Sequence, residues 1–251
     1  MNYRCIVQYD GTRYEGWQKQ KRTEETIQGK LEKTLRKITG EEVQVIGAGR
    51  TDAGVHSLGQ MVNFHLKEKR KAEELETDLN MLLPDDIALK HMKTARERFH
   101  SRFDAVEKMY RYRIRTSTEK NVFERRFVWQ YGKPLDVEAM KKAAAFLIGT
   151  YDFISFCGNK KMKKSAVRCI SKIEMKEIKG ELQIDFTGDS FLQGMVRILV
   201  GTLVEVGEGK RKAEGIPAVL ESRNREKAGF TAPPQGLILA VSYTHLRAHE
   251  T

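Results

Sequence analysis

The chain has 251 residues, of which 40% are hydrophobic and 31% charged, with 45 Lys plus Arg against 34 Asp plus Glu for a formal net charge of +11. These proportions suit a chain that buries a sizeable core, and they exclude the low-apolar, one-signed composition of a disordered polyelectrolyte. No apolar run approaches the ~20 residues a membrane-spanning helix needs. The excess of cations favours a polyanionic partner, with nucleic acid first, because each neutralised phosphate releases condensed counterions. Three cysteines, Cys5, Cys157 and Cys169, form neither a CxxC pair nor an even-numbered framework, so a reducing cytoplasm is the expected compartment.

Taken in chain order, Tyr3 to Tyr9 reads as a strand, and Ile27, Leu31, Leu35 and Ile38 share one helical face between Thr26 and Thr39. Val43 to Ile46 reads as a short strand, Gly47 to Leu58 as a Gly-rich loop, and Val62, Phe64 and Leu66 as an alternating strand. Helical spacing returns at Leu75, Leu79 and Leu82 and stops at Pro84; strands follow at Ile87 to Met92 and Met109 to Arg115. In the second half, Leu135 to Ile148 is a helix pattern. Ile173 and Met175, then Leu182, Ile184 and Phe186, alternate as two strands about a Lys179-Gly180 turn. Leu192, Met195, Val196, Leu199, Val200 and Leu203 form a helical stripe, and Leu237 to Val241 closes with a strand. The expected fold is α+β, built as two α/β halves with the joint in the polar stretch Ser117 to Arg126.

Several chemistries lose support on inspection. There is no GxxxxGK[ST] loop, no complete GxGxxG, no HExxH, and no deaminase-type pairing of a histidine with CxxC. The histidines are scattered, and His56 and His100 read as loop or surface side chains rather than ligands. No metal and no cofactor is expected.

Three features carry chemistry. Gly47-Ala-Gly-Arg50-Thr-Asp52-Ala-Gly54-Val-His56 sets a guanidinium and a carboxylate two residues apart among three glycines, so backbone can approach a ligand; the plainer reading is a turn with Arg50 solvated. Segment Lys108 to Arg115 places Tyr110, Tyr112 and Ile114 on one strand face and Arg111, Arg113 and Arg115 on the other. It reads either as an edge strand with a solvated Arg face or as a tyrosine stacking on a base, worth roughly 1–3 kcal/mol. Arg197 lies about 140° from Leu192 at 100° per residue, on the flank of the apolar stripe. Gly194 and Gly201, read as mid-helix, cost about 1 kcal/mol each against alanine, which close approach of another backbone or a ligand would explain.

The loop GAGRTDAGVHS resembles the signature of the TruA family of tRNA pseudouridine synthases, in which a catalytic aspartate sits within GRTDxGVH. The likeness extends through Tyr9 to Gln18 (YDGTRYEGWQ), Thr26-Ile-Gln28, Asn80 to Ile87, Phe99 to Phe103 (FHSRF), Tyr110-Arg-Tyr112, Asp152 to Phe156 (DFISF) and Met195-Val-Arg197, to about Tyr243. The resemblance implies two similar halves, residues 1–116 and 117–243, sharing an extended mixed or antiparallel sheet with helices on one face and an RNA-binding cleft between the halves. It implies a homodimer that isomerises uridine to pseudouridine at positions 38, 39 or 40 of the tRNA anticodon arm, without a nucleotide cofactor. It also implies that Asp52 is the catalytic aspartate, Arg50 the neighbour that helps extrude the nucleotide, Tyr110 the tyrosine packed on the uracil, and Arg197 the partner of the aspartate. Gly194 departs from the asparagine many relatives carry, and residues 244–251 do not resemble a family ending and read as an atypical tail. The rival readings are a noncatalytic RNA-binding protein and another base-directed RNA enzyme.

Overall fold

A computed structural model describes residues 1–159 and 161–244; the atypical tail, from His245 onward, lies outside the described residues. The chain forms two compact units, Met1–Lys108 together with the chain from Ile238 onward, and Met109–Leu237. The described residues contain ten strands and five α-helices, in an α+β arrangement whose strands pair both parallel and antiparallel.

In the first unit, β1 (Asn2–Tyr9) leads to α1 (Ile27–Thr39), the short β2 (Ile46–Gly47), β3 (His56–His65), α2 (Ala72–Leu82) and β4 (Ile87–Ala95). β5 (Ala105–Arg115) starts here and continues into the second unit. β1 lies between β3 and β4, antiparallel to both, with Tyr3 opposite Phe64 and Cys5 opposite Val62. Odd residues Tyr3, Cys5, Val7 and Tyr9 are buried, whereas Arg4, Ile6 and Gln8 are half-buried, so one face of the sheet carries the core. That core takes in Ile27, Leu31 and Leu35 from α1 and Leu75 and Leu79 from α2. α1 is stopped at both ends by its sequence: the Thr26 hydroxyl accepts the Gly29 N–H at 3.2 Å, and Gly40 ends it in the left-handed region at φ 74°. The expected strand at Val43 to Ile46 reduces to Ile46–Gly47. Val43 and Val45 still bury their side chains, but the Val45 N–H goes to the Glu32 carboxylate instead of a ladder partner.

The second unit continues β5 and adds β6 (Trp129–Gln130), α3 (Val137–Ala145), β7 (Gly149–Asp152), β8 (Val167–Ile178), β9 (Glu181–Gly188), α4 (Met195–Gly207) and α5 (Ile216–Glu221). The order across its sheet is β5-β9-β8-β7, with β6 parallel to β5. The β8–β9 turn is the expected one: Lys179 at φ 50° and Gly180 at φ 74° give the doubly left-handed corner that suits strand twist. α4 is buried well beyond the expected stripe, since Ile198, Gly201, Thr202 and Val204 are covered too. β10 (Leu237–Thr244) then returns to the first unit and runs parallel to β3, with Ile238 opposite His56.

Two sequence readings need correction. β5 has strand partners in both β6 and β9, so it is not an edge, and its Arg face is not solvated. Arg111 forms two 2.7 Å bonds to the buried Asp185, and Arg113 bonds Glu181 at 2.6 and 2.7 Å and Glu124 at 2.9 Å. Gly194 is not mid-helix but precedes α4, at φ 68°. Gly201 is mid-helix, and another backbone is what approaches it: a Cβ there would fall 1.9 Å from the Phe230 carbonyl oxygen. Gly201→Ala is therefore expected to destabilise the protein by roughly 1–3 kcal/mol of overpacking. In a thermal melt Gly215→Ala, where a Cβ meets nothing within 4 Å, should leave the midpoint unchanged.

Candidate active site

The Asp52 turn is built by glycines and held from beneath. β2 pairs Gly47 with Val62, the Ala48 N–H reaches the Met61 carbonyl at 2.8 Å, and the fully buried Gln60 side chain then takes over. Its Oε1 accepts the Gly49 N–H at 3.2 Å and its Nε2 donates to the Gly49 carbonyl at 2.7 Å, so a side chain extends the ladder one residue beyond the strands. The chain turns over Asp52 to Gly54, with the Val55 N–H bonded to the Asp52 carbonyl at 3.2 Å and Gly54 at φ 75°. The plainer sequence reading, a turn, is thus correct as geometry. It leaves Asp52 half-buried and Arg50 exposed.

The segment Asp10 to Trp17 lies against this turn. Trp17 N–H donates to the Thr51 carbonyl at 3.1 Å, Gly54 N–H donates to the Tyr14 carbonyl at 3.2 Å, and the Tyr9 and Thr51 hydroxyls meet at 2.8 Å. Burial pushes the Tyr9 phenol up, so it stays a neutral hydrogen-bonding group. The approach is too close for side chains: a Cβ on Gly11 would sit 2.0 Å from the Val55 oxygen, on Gly16 2.6 Å from the Thr51 oxygen, and on Gly47 2.7 Å from the Trp17 ring. His56, read as a loop or surface histidine, is instead buried. Its Nδ1 accepts the Gly11 N–H at 3.0 Å, with the Asp10 carboxylate 3.2 Å away.

Arg50 is the cation of the turn. Its pKa is lowered, first by partial desolvation and then by repulsion from the Arg102 guanidinium, yet an exposed arginine remains charged at any physiological pH. The turn therefore presents a carboxylate and a permanent cation two residues apart.

The other two residues singled out by sequence lie in the second unit. Tyr110 is buried on the apolar face of β5, edge-on to Phe191 with ring centroids 5.2 Å apart. Arg197 stands in the first turn of α4, and its Nε donates to the Ala232 carbonyl at 2.7 Å while its own carbonyl accepts the Ala232 N–H at 3.0 Å. The same strap is held by Tyr112, whose hydroxyl donates to the Pro233 carbonyl at 2.7 Å. Burial raises the Tyr112 pKa, with the Arg197 charge acting against it. The guanidinium of Arg197 is thus fixed by its Nε edge. Among the described residues no group of three or more His, Cys, Asp or Glu side chains gathers to hold a metal ion.

Sequence reasoning on local pattern missed Gln60, Thr51, Tyr9 and the close-packed glycines Gly11 and Gly16. A lone Gln in an alternating strand carries no signal; the glycines do, as small residues in a segment otherwise bulky.

A basic α+β protein with a carboxylate and a guanidinium on a locked turn has the equipment of an enzyme acting on RNA. The chain belongs to the tRNA pseudouridine synthase family, whose model matches residues 5–104 and 143–244. It is 44% identical over 238 residues to a protein of Thermoanaerobacter sp. (strain X514) named tRNA pseudouridine synthase A, covering 95% of this chain and 97% of that one. It is similarly 42% identical over 242 residues to the protein of that name from Acetivibrio thermocellus, covering 96% and 99%. Tenants of this family are isomerases, and this chain is one of them.

Gln60 is a positioning residue for the turn. Gln60→Ala is expected to lower kcat about tenfold or more, since small misplacements of a reacting group are costly, while KM for tRNA changes little. Gln60→Glu turns a buried carboxylate oxygen toward the Gly49 carbonyl, so it should do no better than alanine.

Proposed function

We propose that this enzyme isomerises uridine to pseudouridine at positions 38, 39 and/or 40 of the tRNA anticodon arm, as a homodimer working in the cytoplasm, with Asp52 as the catalytic carboxylate. What carries the reading is Asp52 itself: a half-buried carboxylate on a turn locked by Gln60 and by the Tyr14 and Trp17 backbone, within the signature loop of the family. No membrane-crossing helix occurs among the described residues.

The reaction breaks the bond from ribose C1′ to uracil N1, turns the ring, joins C5 to C1′ and releases the C5 proton. Cleavage develops positive charge on the sugar, which a positioned carboxylate meets either by bonding to C1′ or by taking the C2′ proton. Both routes need Asp52 ionised. Arg197 is proposed as the partner of that carboxylate. The target must leave its stack at a cost of a few kcal/mol. Arg50, exposed on the turn, is proposed to help extrude the target nucleotide, and Tyr110 to pack on the uracil. Exposed lysines and arginines that keep no carboxylate partner are proposed to bind the rest of the RNA.

Asp52→Asn preserves the size of the side chain and is expected to reduce tritium release from C5-labelled tRNA by roughly 10³-fold or more. tRNA affinity, set elsewhere, should stay within a few fold in a filter-binding measurement. Persistent tritium release would remove Asp52 from the chemistry, and free uracil in place of an unchanged RNA mass would make the enzyme a glycosylase. Arg197→Ala should lose far more turnover than binding. Equal losses in both would make Arg197 a phosphate clamp.

A further inference from the structure

The loop after β4 carries an aromatic pair that the fold holds open to solvent. Phe103 is 80% exposed, and its ring stacks on His100 with centroids 4.1 Å apart and planes 28° from parallel. A closed set of hydrogen bonds sets the backbone that carries this ring and the imidazole behind it. His100 Nδ1 accepts the N–H groups of Arg102 and Phe103 at 3.2 and 3.3 Å, and the Asp104 carboxylate accepts the His100 N–H at 2.8 Å. The His100 carbonyl in turn accepts the Phe103 and Asp104 N–H groups at 3.0 and 2.9 Å.

The loop is also anchored from below by two fully buried asparagines. Asn2 donates to the Arg96 and Phe99 carbonyls at 2.9 Å, Asn63 donates to the Phe99 carbonyl at 3.2 Å, and the Asn63 side-chain oxygen accepts the Ser101 N–H at 2.9 Å. Asn63 stands opposite Ile46 in the β2–β3 pair, one residue from the Gly47 pairing that begins the Asp52 loop. One strand therefore sets the position of both loops.

Besides the Asp104 carboxylate that accepts the His100 N–H, the loop carries two exposed arginines. Arg98 and Arg102 are exposed, and among the described residues no carboxylate pairs with Arg50, Arg98 or Arg102. Arg102 is near enough to Arg50 for its charge to disfavour the second guanidinium's protonated form. Exposed arginines with no carboxylate paired to them suit a polyanion, and a flat aromatic face open to solvent suits a base that stacks without sequence preference. A protein partner would need carboxylates for the same cations and gains no particular fit to a flat ring.

We propose that Phe103, backed by His100, is a stacking platform for an unpaired nucleotide flanking the target uridine, and that Arg102 and Arg98 hold the adjoining phosphates. The proposal rests on the reading of this chain as an enzyme acting on the tRNA anticodon arm, and adds a second contact point outside the catalytic turn. Because the backbone that carries the platform is already set, binding there loses little backbone entropy.

The test uses the full-length protein and an anticodon stem-loop RNA with 2-aminopurine beside the target uridine. Phe103→Ala should weaken RNA binding about tenfold and lose the 2-aminopurine quenching, because a stacked base is lost. Phe103→Trp should retain affinity and quenching. Phe103→Leu, apolar but without a π face, should behave as alanine does. Arg102→Ala should lower the slope of log Kd against log salt by about one. Thermal midpoints should match wild type, since Phe103 buries little of its surface. Alanine variants that bind within about twofold of wild type, or a leucine variant that keeps full affinity, would overturn the platform. So would a Phe103→Ala protein whose sedimenting mass falls while its RNA affinity holds, which would make the pair a contact between copies of the chain. Platform-dependent RNA binding by a wild-type protein that forms no pseudouridine would instead sink the functional reading. Pseudouridine formation with unaffected variants would sink the platform alone.

Discussion

The first unit depends on backbone meeting backbone beneath the Asp52 turn. Where Gly11 and Gly16 pass under Thr51 to Val55, there is no room for a β-carbon, and the Trp17–Thr51 and Gly54–Tyr14 hydrogen bonds form because that room was given up. Hydrogen bonds made at such short range fix a turn in three dimensions more tightly than side-chain packing does, since neither partner has a rotamer to change. The bulky neighbours Tyr9, Tyr14 and Trp17 are buried around these small residues, so the crossing is closed on all sides by packing as well as by hydrogen bonds.

The second unit solves a parallel problem with a helix. α4 offers its first turn as the mount for Arg197, and the Phe230 to Pro234 strap passes so near that Gly201 has to be bare. Thr202 accepts the Gly229 N–H at 2.9 Å, Tyr112 holds the Pro233 carbonyl, and Arg197 holds Ala232. The strap then delivers the chain into β10, alongside the residues that leave the Asp52 loop.

Much of this was legible in the sequence wherever periodicity carried it. α1, α2 and α3 lie where their apolar spacing put them, and Lys179-Gly180 announced its turn because two left-handed residues in succession have few other uses. Short strands escaped notice: Trp129–Gln130 and Gly149–Asp152 are too brief to alternate. The Val43 to Ile46 reading failed because burial and ladder pairing are separate properties, and Glu32 took the Val45 N–H. For the site, chemistry was visible and support was not. Asp52 and Arg50 stood out as reactive types among glycines, while Gln60 acts by two bonds to Gly49, eleven residues earlier, which no composition signal marks. His56 was misjudged for the same reason: its hydrogen-bond donor is the Gly11 N–H, forty-five positions earlier.

The arginines of β5 bear on how the molecule's electric field is to be understood. Arg111 and Arg113 raise the count of cations, yet each is neutralised inside the fold by Asp185, Glu181 or Glu124. An incoming strand of RNA senses only the guanidinium and ammonium groups that keep no such company, so formal charge is a poor map of attraction. These two populations also respond to ions differently. Added electrolyte screens the outward groups and releases the nucleic acid, whereas the partly enclosed pairs along β5 are sheltered from it. Ionic strength can therefore dissociate substrate from this scaffold without loosening the strand that runs through it.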